Sequence, residues 1–274
     1  GLSSNYKLDG GTHTFNVTKK DITFSGSRVY DGTTTVSSSD LVTNDTTSGE
    51  TLAFSGSGTV SSANVQNNQS ITLGSIAIAD GSGGGLASNY NLTTGTFDIS
   101  QKWVSVGGQK IYDATTTVSS SDLEVTGEVT GESISITGTG SVTDKNVGSG
   151  KTIDISGLSL SDGSHSASNY TIGTTSFAIT RRNLSISGEK VYDGTGTVLA
   201  SQIDTVNTAG GETLTISGEG SVSLPSVGTN KSITLNTLGI SDGTNGTIGL
   251  ASNYTLDSGS FDITTKPITL SGSR

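Results

Sequence analysis

Cysteine and methionine are both missing from the 274 residues, proline occurs only twice and tryptophan only once. Without cysteine there is no disulfide and no thiol nucleophile. The two histidines, His13 and His165, cannot by themselves complete a zinc site of the usual ligand count. Small secreted domains usually rely on disulfides; a chain exported unfolded would do without them, because an early cross-link would jam its passage. Charge is also scarce, and what there is runs acidic, with 14 Lys and Arg against 24 Asp and Glu for a net charge of −10. Such a surface repels the phosphates of nucleic acid and of an anionic membrane. No apolar run approaches the roughly 18–20 residues that a membrane-crossing helix needs. No secretory signal opens the sequence, which begins in mid-pattern and without Met, so it is expected to be an internal piece of a longer chain.

What the chain has in excess is Ser, Thr, Asn and Gly, a composition that suits a disordered stalk as well as a β-protein. Apolar alternation decides for the second. Ile22/Phe24, Leu52/Phe54, Ile71/Leu73, Ile76/Ile78 and Phe97/Ile99 each place apolar residues two apart, with Ser, Thr, Gly or another polar residue between most of them. The parity changes between 71/73 and 76/78, and does so again at 153/155 to 158/160 and at 233/235 to 238/240. A flat strand cannot change parity without turning its apolar face outward, which predicts a bulge or corner near Gly74, Gly157 and Asn236. No window shows sustained helical spacing.

The sequence repeats. "SRVYDGTTTV" at 27–36 returns as "QKIYDATTTV" at 109–118 and "EKVYDGTGTV" at 189–198, so that Tyr30, Tyr112 and Tyr192 are separated by 82 and 80 residues. A second marker, Ser-Asn-Tyr, ends at Tyr6, Tyr90, Tyr170 and Tyr254, and these two motifs hold all seven tyrosines. A third pairs Phe15/Val17, Phe97/Ile99, Phe177/Ile179 and Phe261/Ile263. From the motif Tyr to the Glu of a Gly-Glu turn (Glu50, Glu132, Glu212) is always 20 residues, and from there to an Asp-Gly (Asp80, Asp162, Asp242) always 30. Length varies only from that Asp to the Ser-Asn-Tyr tyrosine, by 10, 8 and 12 residues, which marks a surface loop. The leading fragment places a second tolerant turn at Asp9-Gly10-Gly11.

Parity also flips at Lys19-Lys20, Gln101-Lys102, Arg181-Arg182 and Thr265-Lys266, and these dipeptides set the boundaries. Residues 21–102, 103–182 and 183–266 form repeats 1, 2 and 3. Residues 1–20 read as the C-terminal end of a preceding repeat and 267–274 as the first strand of a following one. An ~80-residue unit can close one core but is marginal alone, so neighbours are expected to support one another. Three such beads in line would make a rod.

In the repeated motif, Asp31, Asp113 and Asp193 are expected to bond nearby backbone N–H groups in a turn that leads into the next strand. Tyr30, Tyr112 and Tyr192 are expected to lay their rings on the core with the hydroxyl at a hydrogen-bonded edge. Ala114 stands where the other copies have Gly32 and Gly194. Alanine at positive φ is strained by roughly 1 kcal/mol, so a negative φ is predicted in all three.

Lys/Arg-x-Tyr-Asp-Gly-Thr-Thr, Leu-Ala-Ser-Asn-Tyr and Phe-Asp-Ile-Thr-Lys-Lys/Pro, in fixed order over essentially the whole chain, resemble the YDG-type repeats of large bacterial surface exoproteins of the filamentous-haemagglutinin-like, two-partner-secreted adhesins. The resemblance implies an extracellular stalk or fibre of tandem β-domains on a bacterial cell surface or in a secreted matrix. Ala114 and Gly196 depart from the pattern at positions with no proposed chemistry.

Against that frame the reactive residues read blandly. A turn-capping role suits the motif aspartates better than acid catalysis. Calcium at the Asp-Gly loops is the one cofactor left open; it would need 6–8 oxygens, and the few acids per loop and the lack of an EF-hand or Gly-Gly-x-Gly-x-Asp array argue against it. His13 and His165 occupy non-equivalent places in the repeat, so no shared triad can be built on them. No catalytic residue, metal ligand or cofactor is therefore assigned. Lys110 and Lys190 could suggest an isopeptide cross-link, but Arg28 at the same place cannot form one, and a basic stem packed along Tyr is the plainer account. Asn16, Asn91, Asn169 and Asn253 begin glycosylation sequons. Trp103 replaces Asp21, Asn183 and Pro267 at a boundary; it is expected to wedge between repeats 1 and 2, the alternative being an exposed aromatic for stacking on sugar.

The sequence thus predicts tandem all-β domains, small antiparallel immunoglobulin-like sandwiches. Their structural motif residues are Tyr30, Asp31, Tyr112, Asp113, Tyr192, Asp193, Tyr90, Tyr170 and Tyr254. The array is expected to project a binding tip or to self-associate in a biofilm matrix, its partners being further repeats, other copies of itself, or exopolysaccharide and host glycans. The alternative function is a carbohydrate-binding array acting through the variable loops. A continuous parallel β-helix needs short uniform rungs that this repeat lacks.

Overall fold

The computed structural model describes residues 2–7, 10–12 and 14–272. It is all-β: strands, turns and single-turn 3₁₀ segments, with no α-helix among the described residues. Repeat 1 contains eight strands: β1 Lys20–Val29, β2 Thr35–Ser37, β3 Leu41–Thr43, β4 Leu52–Ser55, β5 Ser57–Thr59, β6 Gln66–Ser70, β7 Ala77–Asp80 and β8 Tyr90–Ser100.

β1 shows how the sequence writes the fold. Its inward row, read every second residue, is Ile22, Phe24, Gly26, Arg28, and Tyr30 follows just past its end; the rows in repeats 2 and 3 are Val104, Val106, Gly108, Lys110, Tyr112 and Leu184, Ile186, Gly188, Lys190, Tyr192. The first two residues of each row are buried core. The glycine is required because the chain of the following 3₁₀ turn passes over it: a Cβ on Gly26, Gly108 or Gly188 would lie 2.4, 1.9 or 1.9 Å from the backbone oxygen of Asp40, Asp122 or Gln202.

The main sheet runs β3-β1-β8-β6, and its counterparts in repeats 2 and 3 have the same order. Its outer pairs are antiparallel, but β1 and β8, the first and last strands of the repeat, run parallel, with Gly26 opposite Phe97 and Arg28 opposite Ile99. The pair formed by Arg182–Val191 and Tyr254–Thr264 in repeat 3 is parallel too. The expected fully antiparallel architecture is thereby corrected. A parallel pair needs a long crossover, and here the whole middle of the repeat supplies it, so each full repeat closes on its own ends.

That middle forms small sheets, and in repeats 2 and 3 its buried residues cluster with those of the main sheet. β2 pairs with β5 and β4 with β7. In repeat 2 the equivalents of β4 and β5 fuse into one strand, Ile134–Val142, bent at Gly138 (φ 91°). The predicted corners are present as turns: Ile76, Leu158 and Leu238 donate backbone hydrogen bonds to the carbonyls of Leu73, Ile155 and Leu235 at 2.8, 2.9 and 2.6 Å. There the chain leaves one small sheet for the next, which is why its apolar parity changes.

The described residues divide into two compact units, one comprising Gly1–Lys102 with Ser168–Thr171, the other Trp103–Ala167 with Ile172–Arg274. In the second unit, Val106, Val118, Leu123, Ile136, Val142, Ile153, Leu158, Phe177 and Ile179 of repeat 2 form one cluster that continues through Tyr112 into Leu184, Ala209 and Tyr254 of repeat 3. Phe15 and Val17, and likewise Ile268 and Leu270, are exposed and outside any strand; the strands that cover their equivalents in a full repeat have no counterpart within the 274 residues.

Candidate functional site: the motif loop and the repeat junction

The quoted motif builds two devices, a clamp within a repeat and a clasp between repeats. In the clamp, the first Asp carboxylate accepts from the backbone N–H two residues on, Thr33, Thr115 or Thr195, each at 2.9 Å, and from the same threonine's hydroxyl. This is the predicted Asx turn. Its centre was not predicted: Gly32, Ala114 and Gly194 all have positive φ, 78°, 64° and 83°, so the expectation of negative φ is corrected. The strain at Ala114 is outweighed by the clamp and by contact of its methyl group with the shared core.

A buried cation locks the loop. Lys110 Nζ donates to Asp113 Oδ1 and Oδ2 (2.9 and 3.1 Å), Thr115 O and Oγ1 (3.1 and 3.0 Å) and Thr117 O (2.6 Å). Lys190 Nζ reaches Asp193, Thr195 Oγ1 (3.0 Å) and Thr197 O (2.7 Å) in the same way. Arg28 substitutes with its fork, donating to the carbonyls of Thr33 and Thr35 and pairing with Asp31 at 3.1 Å, its guanidinium 5.6 Å from the centre of the Phe97 ring. The basic residue is therefore a loop anchor rather than a stem along Tyr. Hydrogen bonding from Thr195 N–H and then from Lys190 holds the Asp193 carboxyl down at about 2. Burial alone would raise Asp113, but its bonds to Lys110 and Thr115 outweigh it and the net shift is downward.

The clasp is clearest in the second unit. Tyr112 of repeat 2 is fully buried edge-on against Tyr254 of repeat 3, ring centres 5.5 Å apart at 79°. Both hydroxyls donate to one carboxylate, Tyr112 to Glu212 Oε1 at 2.7 Å and Tyr254 to Oε2 at 2.8 Å, and Lys145 adds an ion pair at 2.7 Å. The Tyr254 hydroxyl accepts in turn from Ala209 N–H at 3.0 Å. Burial, then the Glu212 carboxylate, push Tyr112 up, and Tyr254 is pushed up to about 12 by burial foremost, with Glu212 adding to it. Burial works against the Glu212 carboxylate, but its bonds to Lys145, Tyr112 and Tyr254 bring it below the ordinary value. Asn253 completes the junction, accepting from Val147 N–H at 2.9 Å and donating to Asn146 Oδ1 at 2.8 Å, while Arg181 holds Ser252 O at 3.1 Å.

The first unit contains the matching group. Tyr30 packs edge-on against Tyr170 at 5.4 Å, Asn169 accepts from Val65 N–H at 2.9 Å and donates to Asn64, and Gln101 donates to the carbonyls of Ser168 and Tyr170. Tyr90 donates to Glu50 and accepts from Thr47 N–H at 3.1 Å. Beside Tyr90, Glu50, Asn89, Lys19 and Val17 line a pocket of about 310 Å³. In the second unit Tyr192 is 41% exposed, in contrast to the buried Tyr30 and Tyr112.

Several expectations change in this light. The Asn169 and Asn253 amides are 1% exposed and committed to the junction, so those two sequons are not available for glycosylation. Trp103 is 75% exposed and is not a buried wedge; it lies over Gly173. Asp80, Asp162 and Asp242 each accept a backbone N–H across the variable loop, from Ala87, Ala167 and Ala251 at 2.7–2.8 Å. His165 is half-exposed, with Nδ1 3.0 Å from Ser164 Oγ. His13 and Asp9 lie outside the described residues. The role of Glu212 was missed, although the invariant Gly-Glu spacing pointed to that position.

A family profile described as YDG domain matches residues 12–97, 101–177 and 180–261. No curated protein matches the chain.

Proposed function

Since the chain belongs to the YDG domain family, with three copies in tandem, we propose that it is a structural segment of a bacterial surface adhesin or secreted matrix protein. In this reading the copies act as spacers that hold a binding tip away from the cell, or that associate with further copies in a biofilm. Two-partner secretion, an extracellular location and an elongated rod belong to the same proposal.

One observation carries it: the repeated polar residues are consumed in building the object. The motif's basic residue and Asp tie a loop to its own strand, and Tyr112, Glu212 and Tyr254 tie one repeat to the next. Residues kept for catalysis need free valences aimed at a substrate; these are spent on one another. We assign no enzymatic role and no cofactor. The alternative of glycan binding through the variable loops is weakened by the use of their aspartates on Ala87, Ala167 and Ala251.

Small-angle scattering on chains with one, two, three and four repeats tests the reading. A spacer requires the maximum dimension to grow by a constant increment per repeat. Growth as roughly the cube root of length, as for a collapsing globule, would refute it.

A further inference from the structure

Repeat 2 differs from its neighbours on one face in a concerted way. On the outward side of strand Lys102–Ile111, Trp103 stands where repeats 1 and 3 have Asp21 and Asn183, and Gly107 where they have Ser25 and Ser187. On the adjoining strand Leu123–Thr126, which pairs Thr126 with Ser105 and Glu124 with Gly107, Glu124 replaces Val42 and Asp204. Gly127 follows where the others have Asp45 and Asn207.

Those last residues matter because they cover the face. Asp45 accepts from Thr23 Oγ1 at 3.0 Å; Asn207 accepts from Ser185 N–H at 2.8 Å and donates to Asn183 O at 3.0 Å. Gly127 has no side chain with which to do either, and the face stays open. The result is a groove of about 380 Å³ lined by Ser105, Gly107, Gly108, Glu124, Thr126 and Thr174, with Trp103 next along the strand. Its volume falls in the range of about 300–1,000 Å³ usual for small-ligand sites. The Trp103 side chain packs over Gly173, where an added Cβ would meet its Cβ at 3.1 Å and the indole atoms Cδ2 and Cε3 at 3.4 Å, so a side chain at 173 would crowd the ring.

We infer that this face of repeat 2 binds an uncharged saccharide, the indole of Trp103 stacking on the C–H face of a hexose and the groove taking the neighbouring ring. The face of an aromatic ring is electron-rich and attracts polarised C–H groups as well as excluding water from them. The polar groups suit sugar hydroxyls: Glu124 accepts, while Ser105 and Thr174, joined at 2.7 Å, and Thr126 both donate and accept. Charge narrows the choice. The groove's only ionisable group is the Glu124 carboxylate, on a chain of net charge −10, so uronates are repelled.

The single tryptophan is its own reporter. Titration of the whole chain with cellopentaose or penta-N-acetylchitopentaose, both uncharged, is expected to change Trp103 emission saturably, with a dissociation constant of roughly 0.1–1 mM. Calorimetry on Trp103→Asn, which installs the repeat 3 residue on an exposed site, is expected to lose the binding heat with thermal stability unchanged. Glu124→Gln is expected to weaken binding about tenfold. No saturable response to either sugar up to about 10 mM, undiminished heat in Trp103→Asn, or equal binding of tetragalacturonate would each overturn the inference.

Discussion

Replacing Tyr112 by Phe keeps the ring that packs on Tyr254 and removes only the hydroxyl that donates to Glu212 at 2.7 Å. A hydrogen bond to a charged acceptor contributes about 1.5–3 kcal/mol. Glu212 has a side chain only 1% exposed, so water cannot replace the lost donor. The expected cost is therefore about 2 kcal/mol. Glu212→Ala goes further, stranding two buried tyrosine hydroxyls and leaving Lys145 unpaired, for an expected loss of about 3–5 kcal/mol. Because both changes remove the same bond, their double mutant is expected to lose less than the sum, by about 1.5–2 kcal/mol. Urea unfolding followed by far-ultraviolet circular dichroism and by Trp103 emission measures all three. Repeats 2 and 3 share one hydrophobic cluster through Tyr112 and Tyr254, and stability in such arrays is a sum of repeat and interface contributions. Glu212→Ala should accordingly separate the unfolding of the two repeats. If Tyr112→Phe stays within about 0.5 kcal/mol of the parent, the range of an ordinary surface change, the buried clasp does not hold the junction.

Lys190→Met removes the cation from a cage of Asp193, Thr195 and Thr197; with Asp193 half exposed, the cost is that of the lost charged hydrogen bonds, about 2 kcal/mol, whereas Lys190→Arg, the solution used at Arg28, should recover most of it in the same urea assay. Gly188→Ala would drive a Cβ to within 1.9 Å of Gln202 O and should destabilise repeat 3 by about 2–3 kcal/mol or more, read as a lower unfolding midpoint. Tyr254, raised to about 12 when folded against the ordinary value of 10.0, contributes stability that is complete below pH 10 and lost as pH rises towards 12, on the order of 2 kcal/mol. Alkaline titration should show delayed phenolate absorbance that Glu212→Ala brings forward.

Much of the fold could be read from alternation. The inward row Ile22, Phe24 and its equivalents, the corners at Gly74, Gly157 and Asn236, and the aspartate turn of the motif all follow from local rules that leave marks two or three residues apart. The parallel pairing of β1 with β8 could not be, because a period of two is the same whichever way the partner runs. Positive φ at Ala114 escaped for a related reason. Local sterics argue against it, and only the Lys110 cage and a core assembled from distant residues reverse the balance. Glu212 and Asn253 were visible as fixed spacings, yet their partners Tyr112 and Val147 lie about a hundred residues away. Trp103 misled through its residue type: indoles usually bury, and nothing in a lone tryptophan reveals that the strand beside it is followed by a glycine, which carries no side chain to cover it.

Stretching single molecules end to end tests most directly whether each repeat closes on its own first and last strands. Three separate ruptures are expected, each releasing about 250 Å of contour, the extended length of some eighty residues less the folded span. A ladder of many small steps would contradict the account, since it would mean that the chain pairs continuously through Lys102 and Arg182 instead of folding back upon itself in each copy.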